Sequence, residues 1–168
     1  ADAEAFSTLC KAQNDAFRTE FASAEPELSL TITTLSQTPK DSMDEQSTRT
    51  ALRFLLALPH GVLAMSRDLP GLVETSSNLA RVRTEAAELV VLTSSRSSNM
   101  SSLNGVIHQI AAVAELAGGT PLPNRGYPGW QPNMGSKVFA SAKRVWKKAF
   151  GVEPRFTAIH AGLECGII

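Results

Sequence analysis

The 168-residue sequence lacks a net charge, a cysteine framework and any long apolar run. Lys plus Arg and Asp plus Glu number 16 each, so no overall field attracts nucleic acid or an anionic membrane surface. Two cysteines, Cys10 and Cys165, are too few for a disulfide framework and are expected to be reduced thiols. The longest apolar runs, such as residues 54–58, are too short to span a bilayer. The partners expected are therefore neither nucleic acid nor membrane.

Several catalytic signatures are also missing. There is no phosphate-cradling Gly-rich loop, no paired-Cys motif and no Gly-x-Ser-x-Gly elbow. The N-terminus has no basic-then-apolar signal pattern, which indicates an unexported, cytoplasmic protein. Because no Met begins the chain and the end follows a candidate functional loop, we expect a piece of a longer protein.

The sequence does contain the patterns of a folded α+β protein, since 43% of its residues are apolar and 19% are charged. Apolar residues at spacings of three and four predict a helix over residues 4–22. Alternation predicts a half-exposed strand over residues 28–33. Ser42 and Glu45 form a capping box that predicts the start of a second helix, which runs to about Leu58.

Downstream, residues 62–95 predict a short strand and a β-hairpin with its turn at residues 83–85. A helix is predicted over residues 98–117. The Pro- and Gly-rich stretch over residues 120–133 predicts a loop, where we place a domain boundary. The predicted domains are residues 1–124 and 125–168.

The final predicted elements are a helix and a strand. Ser136 is suited to cap the helix and Gly151 to stop it. The strand follows over residues 155–160 and brings His160 to its carboxyl end, where open α/β sheets present ligands and catalytic groups. From the residues alone, a histidine at this position is more often a core residue whose hydrogen bonds are satisfied than a functional one, so His160 becomes a site candidate only through the resemblance described next.

Three motifs resemble those of the aminoacyl-histidine dipeptidases, also called Xaa-His dipeptidases, and occur in the family's order. Residues 160–166 read HAGLECG, similar to the family's C-terminal metal-ligand segment. Residues 126–130 read GYPGW and are followed by Pro132 and Asn133, similar to the loop that leads from lid to catalytic domain. Residues 71–76 read GLVETS and are followed by Asn78, similar to a lid strand.

The resemblance implies a binuclear zinc peptidase whose catalytic α/β domain is interrupted by an inserted, dimerising α+β lid, ferredoxin-like in part. Residues 1–124 would be most of the lid, and residues 125–168 a part of the catalytic domain. In such enzymes two zinc ions polarise the scissile carbonyl and generate a hydroxide nucleophile. The implied substrates are dipeptides, including Xaa-His.

The resemblance also assigns candidate site residues. His160 matches the family's late zinc ligand. Arg96 resembles the lid arginine that holds the substrate's free carboxylate, a task that suits the guanidinium fork. Asn78, Gly129 and Asn133 are further substrate-binding candidates, although Asn also favours turns and Gly can serve backbone geometry alone.

Two positions depart from the family pattern: Gly135 stands where Asp is usual, and Ala80 where Gly is usual. The remaining zinc ligands and the general-base Glu of the family precede the lid, and neither His60 nor His108 matches them. The isolated chain is therefore expected to be inactive. Two alternatives stay open: a non-catalytic dimerisation or interaction module derived from the lid, and a small regulatory ligand-binding domain of ferredoxin-like shape.

Overall fold

The computed structural model describes residues 3–33, 36, 41–85, 87–122, 126, 133 and 135–156. The elements in chain order are α1 Ala3–Glu20, α2 Glu45–Ala57, β1 Gly61–Met65, β2 Val73–Glu85, β3 Glu88–Ser97, α3 Met100–Leu116 and α4 Lys137–Phe150. Helices together with an antiparallel sheet confirm the α+β class. The chain divides into two compact units, residues 1–42 and 43–168. The boundary predicted between residues 124 and 125 is a different division and stays a prediction.

The first unit contains α1 and the segment that follows it. Phe17 and Phe21, one helical turn apart, have ring centroids separated by 6.5 Å. The strand predicted over residues 28–33 is wrong, because these residues form no regular element. A strand needs a neighbour to exchange backbone hydrogen bonds. Among the described residues, Leu30 instead donates its N–H to the side-chain oxygen of Asn14 at 2.8 Å.

The second unit begins with α2, whose N-terminal cap differs from the prediction. The capping residue is Asp44 rather than Ser42, and its Oδ1 accepts the N–H of Ser47 at 2.7 Å. This hydrogen bond lowers the pKa of the Asp44 carboxyl, because it favours the ionised form. Glu45 at the start of α2 pairs with Arg49 one turn later, at 2.6 Å.

The three strands form an antiparallel sheet in the order β1, β2, β3. The register of β2 with β3 runs from Thr75 opposite Ser97 to Glu85 opposite Glu88. The turn predicted at residues 83–85 is therefore wrong, because these residues are paired in the strand and the connection comes after them. Glu85 lies opposite Glu88, a pair of like charges that disfavours the pairing. The ion pair of Glu85 with Arg83 on its own strand offsets this repulsion.

Helix α3 packs on β3 and β2 and also contacts α2. It begins after Asn99, whose Oδ1 accepts the N–H groups of Ser101 and Ser102 at 3.0 and 3.3 Å. Val106 of α3 is buried, as is Leu58, which ends α2. The side chains of β3 alternate along the strand between a covered and an exposed face. The sheet is therefore covered on one face and open on the other.

Helix α4 confirms the predicted capping residues. Ser136 Oγ accepts the N–H of Phe139 at 3.1 Å, and Gly151 ends the helix in the left-handed conformation with a φ of 72°. The chain then turns back, so that the rings of Phe139 and Phe156 lie 4.4 Å apart. Of the strand predicted over residues 155–160, the first two residues form no strand and the others lie outside the described residues.

Candidate functional site

The exposed face of the sheet carries an open cleft of about 380 Å³. All three strands contribute to its lining, which consists of Val62, Val73, Ser76, Asn78, Ser94 and Arg96. Two of the sequence-predicted substrate residues, Arg96 and Asn78, are thus brought together. The cleft combines one cation, one carboxamide, two hydroxyls and two apolar side chains, and can therefore hold a small anionic ligand with a short apolar part.

Strand register explains why Arg96 and Asn78 meet. Arg96 lies opposite Ser76, and Asn78 lies opposite Ser94. Arg96 and Asn78 are therefore diagonal neighbours on one face, a relationship that sets residues roughly 7–8 Å apart. This spacing leaves room for a carboxylate between a guanidinium and a carboxamide.

A β-bulge in β2 follows shortly after Asn78 and ends the regular pairing that brings Asn78 and Arg96 together. The register shifts by one residue between Leu79 and Arg81, so Ala80 is the extra residue of a β-bulge. Bulges are a common place for glycine in a strand. The departure at Ala80 therefore falls on the bulge itself and not on a residue that lines the cleft.

The opposite, covered face of the same strand segment is held by hydroxyl groups. Thr75 Oγ1 lies 2.8 Å from Ser97 Oγ, and Ser77 Oγ lies 3.0 Å from Ser95 Oγ. Thr75, Ser77 and Ser97 are buried. Since a buried hydroxyl without a partner costs free energy, each pair favours one register and holds the two strands in it.

His60, the residue that precedes β1, forms a hydrogen bond with β2. Its Nδ1 accepts the N–H of Leu79, the residue after Asn78, at 3.0 Å. An Nδ1 that accepts must be unprotonated, so the neutral ring carries its proton on Nε2. The backbone that directly follows Asn78 is thus held by His60.

Arg96 is not engaged by an acid of the described part of the chain. The ion pairs found there join Arg49 with Glu45, Arg83 with Glu85, and Lys143 and Lys147 with Glu153. Within the described residues, no acid therefore competes with an anionic ligand for the Arg96 guanidinium, and this residue is exposed.

The other predicted site residues are not placed in this cleft. Asn133 does not line it: its Oδ1 accepts the N–H of Gly135 at 3.0 Å, in a turn that precedes α4. Gly129 and His160 lie outside the described residues, so their assignments stay predictions. Within the described ranges, no group of three or more His, Cys, Asp or Glu side chains is arranged to hold a metal ion.

Sequence reasoning missed four lining residues: Val62, Val73, Ser76 and Ser94. A signal for the two serines was available, because Ser76 is two residues before Asn78 and Ser94 is two residues before Arg96. In a strand such a spacing places side chains on the same face. Val62 and Val73 depend on the pairing of β1 with β2, which no local pattern specifies.

Comparisons with known proteins agree with this description. The chain is 30% identical to the cytosol non-specific dipeptidase of Escherichia coli (strain K12) over 160 residues, which are 95% of this chain and 33% of that protein. The crystal structure of an aminoacylhistidine dipeptidase from Vibrio alginolyticus matches with a TM-score of 0.83 and 30% identity, over 98% of this chain and 33% of that one. No protein-family model matches.

The chain thus spans about one third of the length of the relatives it matches. The resemblance to the aminoacyl-histidine dipeptidases that the three motifs predict is confirmed, and the chain is homologous to one segment of these dipeptidases.

Proposed function

We propose that this chain is part of a cytoplasmic dipeptidase and that its cleft binds the free carboxylate of the dipeptide substrate. The observation that carries the proposal is the meeting of Arg96 and Asn78 in one cleft, in a chain homologous to dipeptidases. Arg96 donates two parallel charge-assisted hydrogen bonds to the carboxylate, and the Asn78 carboxamide donates a third. Val62 and Val73 contact the apolar part of the ligand.

The proposed substrates are dipeptides, including Xaa-His, since a carboxylate clamp recognises the C-terminal residue of a short peptide. One cation at a fixed position favours a peptide whose carboxylate lies a fixed distance from the scissile bond. In this description Arg96 and Asn78 orient the substrate, and the described residues of the chain perform no bond cleavage.

We further propose that the parent dipeptidase uses zinc and that His160 supplies one ligand through an imidazole nitrogen. The metal would polarise the scissile carbonyl and activate water. In the dipeptidases that the chain resembles, the other ligands and the general-base Glu precede the lid, and we propose that they belong to the part of those proteins that this chain does not match. The isolated chain is accordingly proposed to be inactive.

Large apolar side chains are exposed on both units, which favours a chain that is covered by further protein. On α1, Phe6 and Leu9 are each 58% exposed, and on α4 Val138 is 79% and Phe150 63% exposed. We propose two candidates for the protein that covers these side chains. One is the part of the dipeptidases that this chain does not match. The other is a second copy, which would form a homodimer through the edge of β1 or β3 that no further strand of the described residues covers. The described part of the chain has no helix long and apolar enough to cross a membrane.

The test is hydrolysis by the full-length protein that contains this chain. A dipeptide with a free carboxylate and the same dipeptide as its C-terminal amide are compared, together with the zinc content. We expect zinc-dependent hydrolysis of the free dipeptide and much poorer hydrolysis of the amide. A zinc-loaded protein that cleaves no dipeptide would contradict the proposal.

The second candidate function is a non-catalytic interaction module, which is favoured by the edges of β1 and β3 that no other described strand pairs with. It predicts a concentration-dependent dimer that persists without zinc and binds no dipeptide. Equilibrium sedimentation with and without a chelator, followed by dipeptide titration, distinguishes the two functions.

A further inference from the structure

Ser97 is the last residue of β3 and follows Arg96 directly. It is 7% exposed, and its hydroxyl lies on the covered face, opposite to the cleft. Ser97 Oγ lies 2.8 Å from Thr75 Oγ1 on β2 and accepts the N–H of Asn99 at 3.0 Å. One buried hydroxyl therefore connects the end of β3, its neighbour β2 and the N-terminal cap of α3.

Arg96 lies next to the end of the pairing between β2 and β3, so its backbone depends on this connection. The paired register of β2 and β3 ends at Thr75 opposite Ser97, and beyond it the N–H of Ser98 reaches the Glu74 carbonyl at 3.2 Å. The backbone that follows Arg96 therefore lies at the end of the strand pairing, and strand ends fray more easily than strand centres. The Ser97 hydroxyl holds it at this point.

Ser95 provides the contrast. It belongs to the same strand and face, and its hydroxyl pairs with Ser77 at 3.0 Å. Paired residues flank it on both sides, Ser94 opposite Asn78 and Arg96 opposite Ser76, so the backbone ladder already holds it. Its hydroxyl makes no link to α3 among the described hydrogen bonds.

We infer that Ser97 is a positioning residue for Arg96: its hydroxyl fixes the end of β3 against Thr75 and Asn99 and thereby sets the direction in which the guanidinium enters the cleft. The inference rests on the proposed function for the identity of the ligand, a carboxylate. It does not rest on it for the geometry, because the hydroxyl acts on Arg96 whether or not a ligand is bound.

The experiment has two arms. In the first, the ¹⁵N-labelled chain is examined by NMR, and the order parameter of the Arg96 Nε–H is measured for the wild type, S97A, S97C, S97T and S95A. In the second, kcat and KM for a dipeptide are measured in the full-length protein with the same substitutions. S97C keeps the volume but weakens the acceptor, S97T keeps the hydroxyl, and S95A removes a comparable hydroxyl from the same face.

We expect S97A and S97C to lower the Arg96 Nε–H order parameter and to raise KM by about three- to tenfold, the effect of one hydrogen bond, with kcat little changed. S97T should restore both values. S95A should lower the melting temperature but leave KM and the order parameter near those of the wild type.

The inference is overturned if S95A raises KM as much as S97A does, or if Arg96 is equally ordered in all variants. If S97A does not fold, S97C and S97T still decide the matter. Should the full-length protein cleave no dipeptide, the proposed function fails, while the NMR arm tests the positioning role independently.

Discussion

Arg96 and Asn78 lie diagonally across β3 and β2 on the exposed face of the sheet, and both line the same cleft. Their meeting depends on a register in which Ser76 is opposite Arg96 and Ser94 is opposite Asn78. A cation and a carboxamide at this spacing can bind one carboxylate from two sides.

The first prediction concerns the geometry of this clamp. Arg96→Lys keeps the charge but loses the planar pair of donors. We expect KM for a free dipeptide to rise about ten- to a hundredfold, since hydrogen bonds to charged groups contribute about 1.5–3 kcal/mol. Hydrolysis of the dipeptide amide should change little. The measurement is a comparison of kcat/KM for the two substrates in the full-length protein. An equal loss for both substrates would place Arg96 outside carboxylate binding.

The hydroxyl pair of buried Ser77 and half-buried Ser95 provides the second prediction. Ser77 is 3% exposed, and its hydroxyl lies 3.0 Å from that of Ser95. Ser77→Ala leaves the Ser95 hydroxyl without this partner, so we expect a loss of about 1–3 kcal/mol in the free energy of unfolding. The double variant with Ser95→Ala should cost little more than the single one, because no group is then left unsatisfied. Additive losses in urea unfolding would show that the two hydroxyls do not interact.

Local signals predicted much of the fold. The caps of α4 were predictable because Ser136 and Gly151 act on backbone groups within a few residues of themselves. The cap of α2 was misassigned by two residues, since Ser42 and Asp44 both have side-chain acceptors and only the conformation decides between them. The strand predicted over residues 28–33 failed because alternation specifies two faces but supplies no neighbouring strand.

The candidate site was predictable residue by residue but not as a cleft. Arg96 and Asn78 were found through the family resemblance, whereas their proximity follows from cross-strand register. That register includes the bulge at Ala80, which shifts by one residue every pairing beyond it. Non-local pairing of this kind leaves no mark in a single sequence.

The third prediction concerns His60. Its Nδ1 accepts the N–H of Leu79, so His60→Ala should expose that amide and speed its hydrogen exchange by about three- to tenfold, the effect of one hydrogen bond. His60→Asn should preserve protection, because the Asn carboxamide oxygen can accept in place of Nδ1. Exchange is measured by NMR on the labelled chain. Equal exchange of the Leu79 amide in all three proteins would mean that the imidazole does not hold β2.

The fourth prediction is a pH dependence that originates at Asp44. The hydrogen bond from Ser47 lowers the pKa of the Asp44 carboxyl in the folded protein. A group with a lowered folded pKa contributes stability above its unfolded pKa of about 3.9, and this contribution is lost as pH falls through the folded pKa. We expect the melting temperature of the wild type to fall more steeply below about pH 4 than that of Asp44→Asn, which caps without titrating at that position. Parallel pH profiles of the two proteins would contradict the assignment of Asp44 as the titrating cap.

The fifth prediction tests the part of the proposal that lies outside the described residues. His160→Ala in the full-length protein should remove about one equivalent of zinc and nearly all dipeptide hydrolysis, because loss of a ligand lowers affinity for the metal and disturbs its coordination. His108→Ala is the matched control, since His108 is exposed on α3 and should change neither value. Zinc is quantified by atomic absorption after gel filtration. If zinc content and hydrolysis both survive His160→Ala, the histidine is structural and the ligand assignment is wrong. If full-length protein with His160 intact binds no zinc and cleaves no dipeptide, the interaction module becomes the better description of the chain.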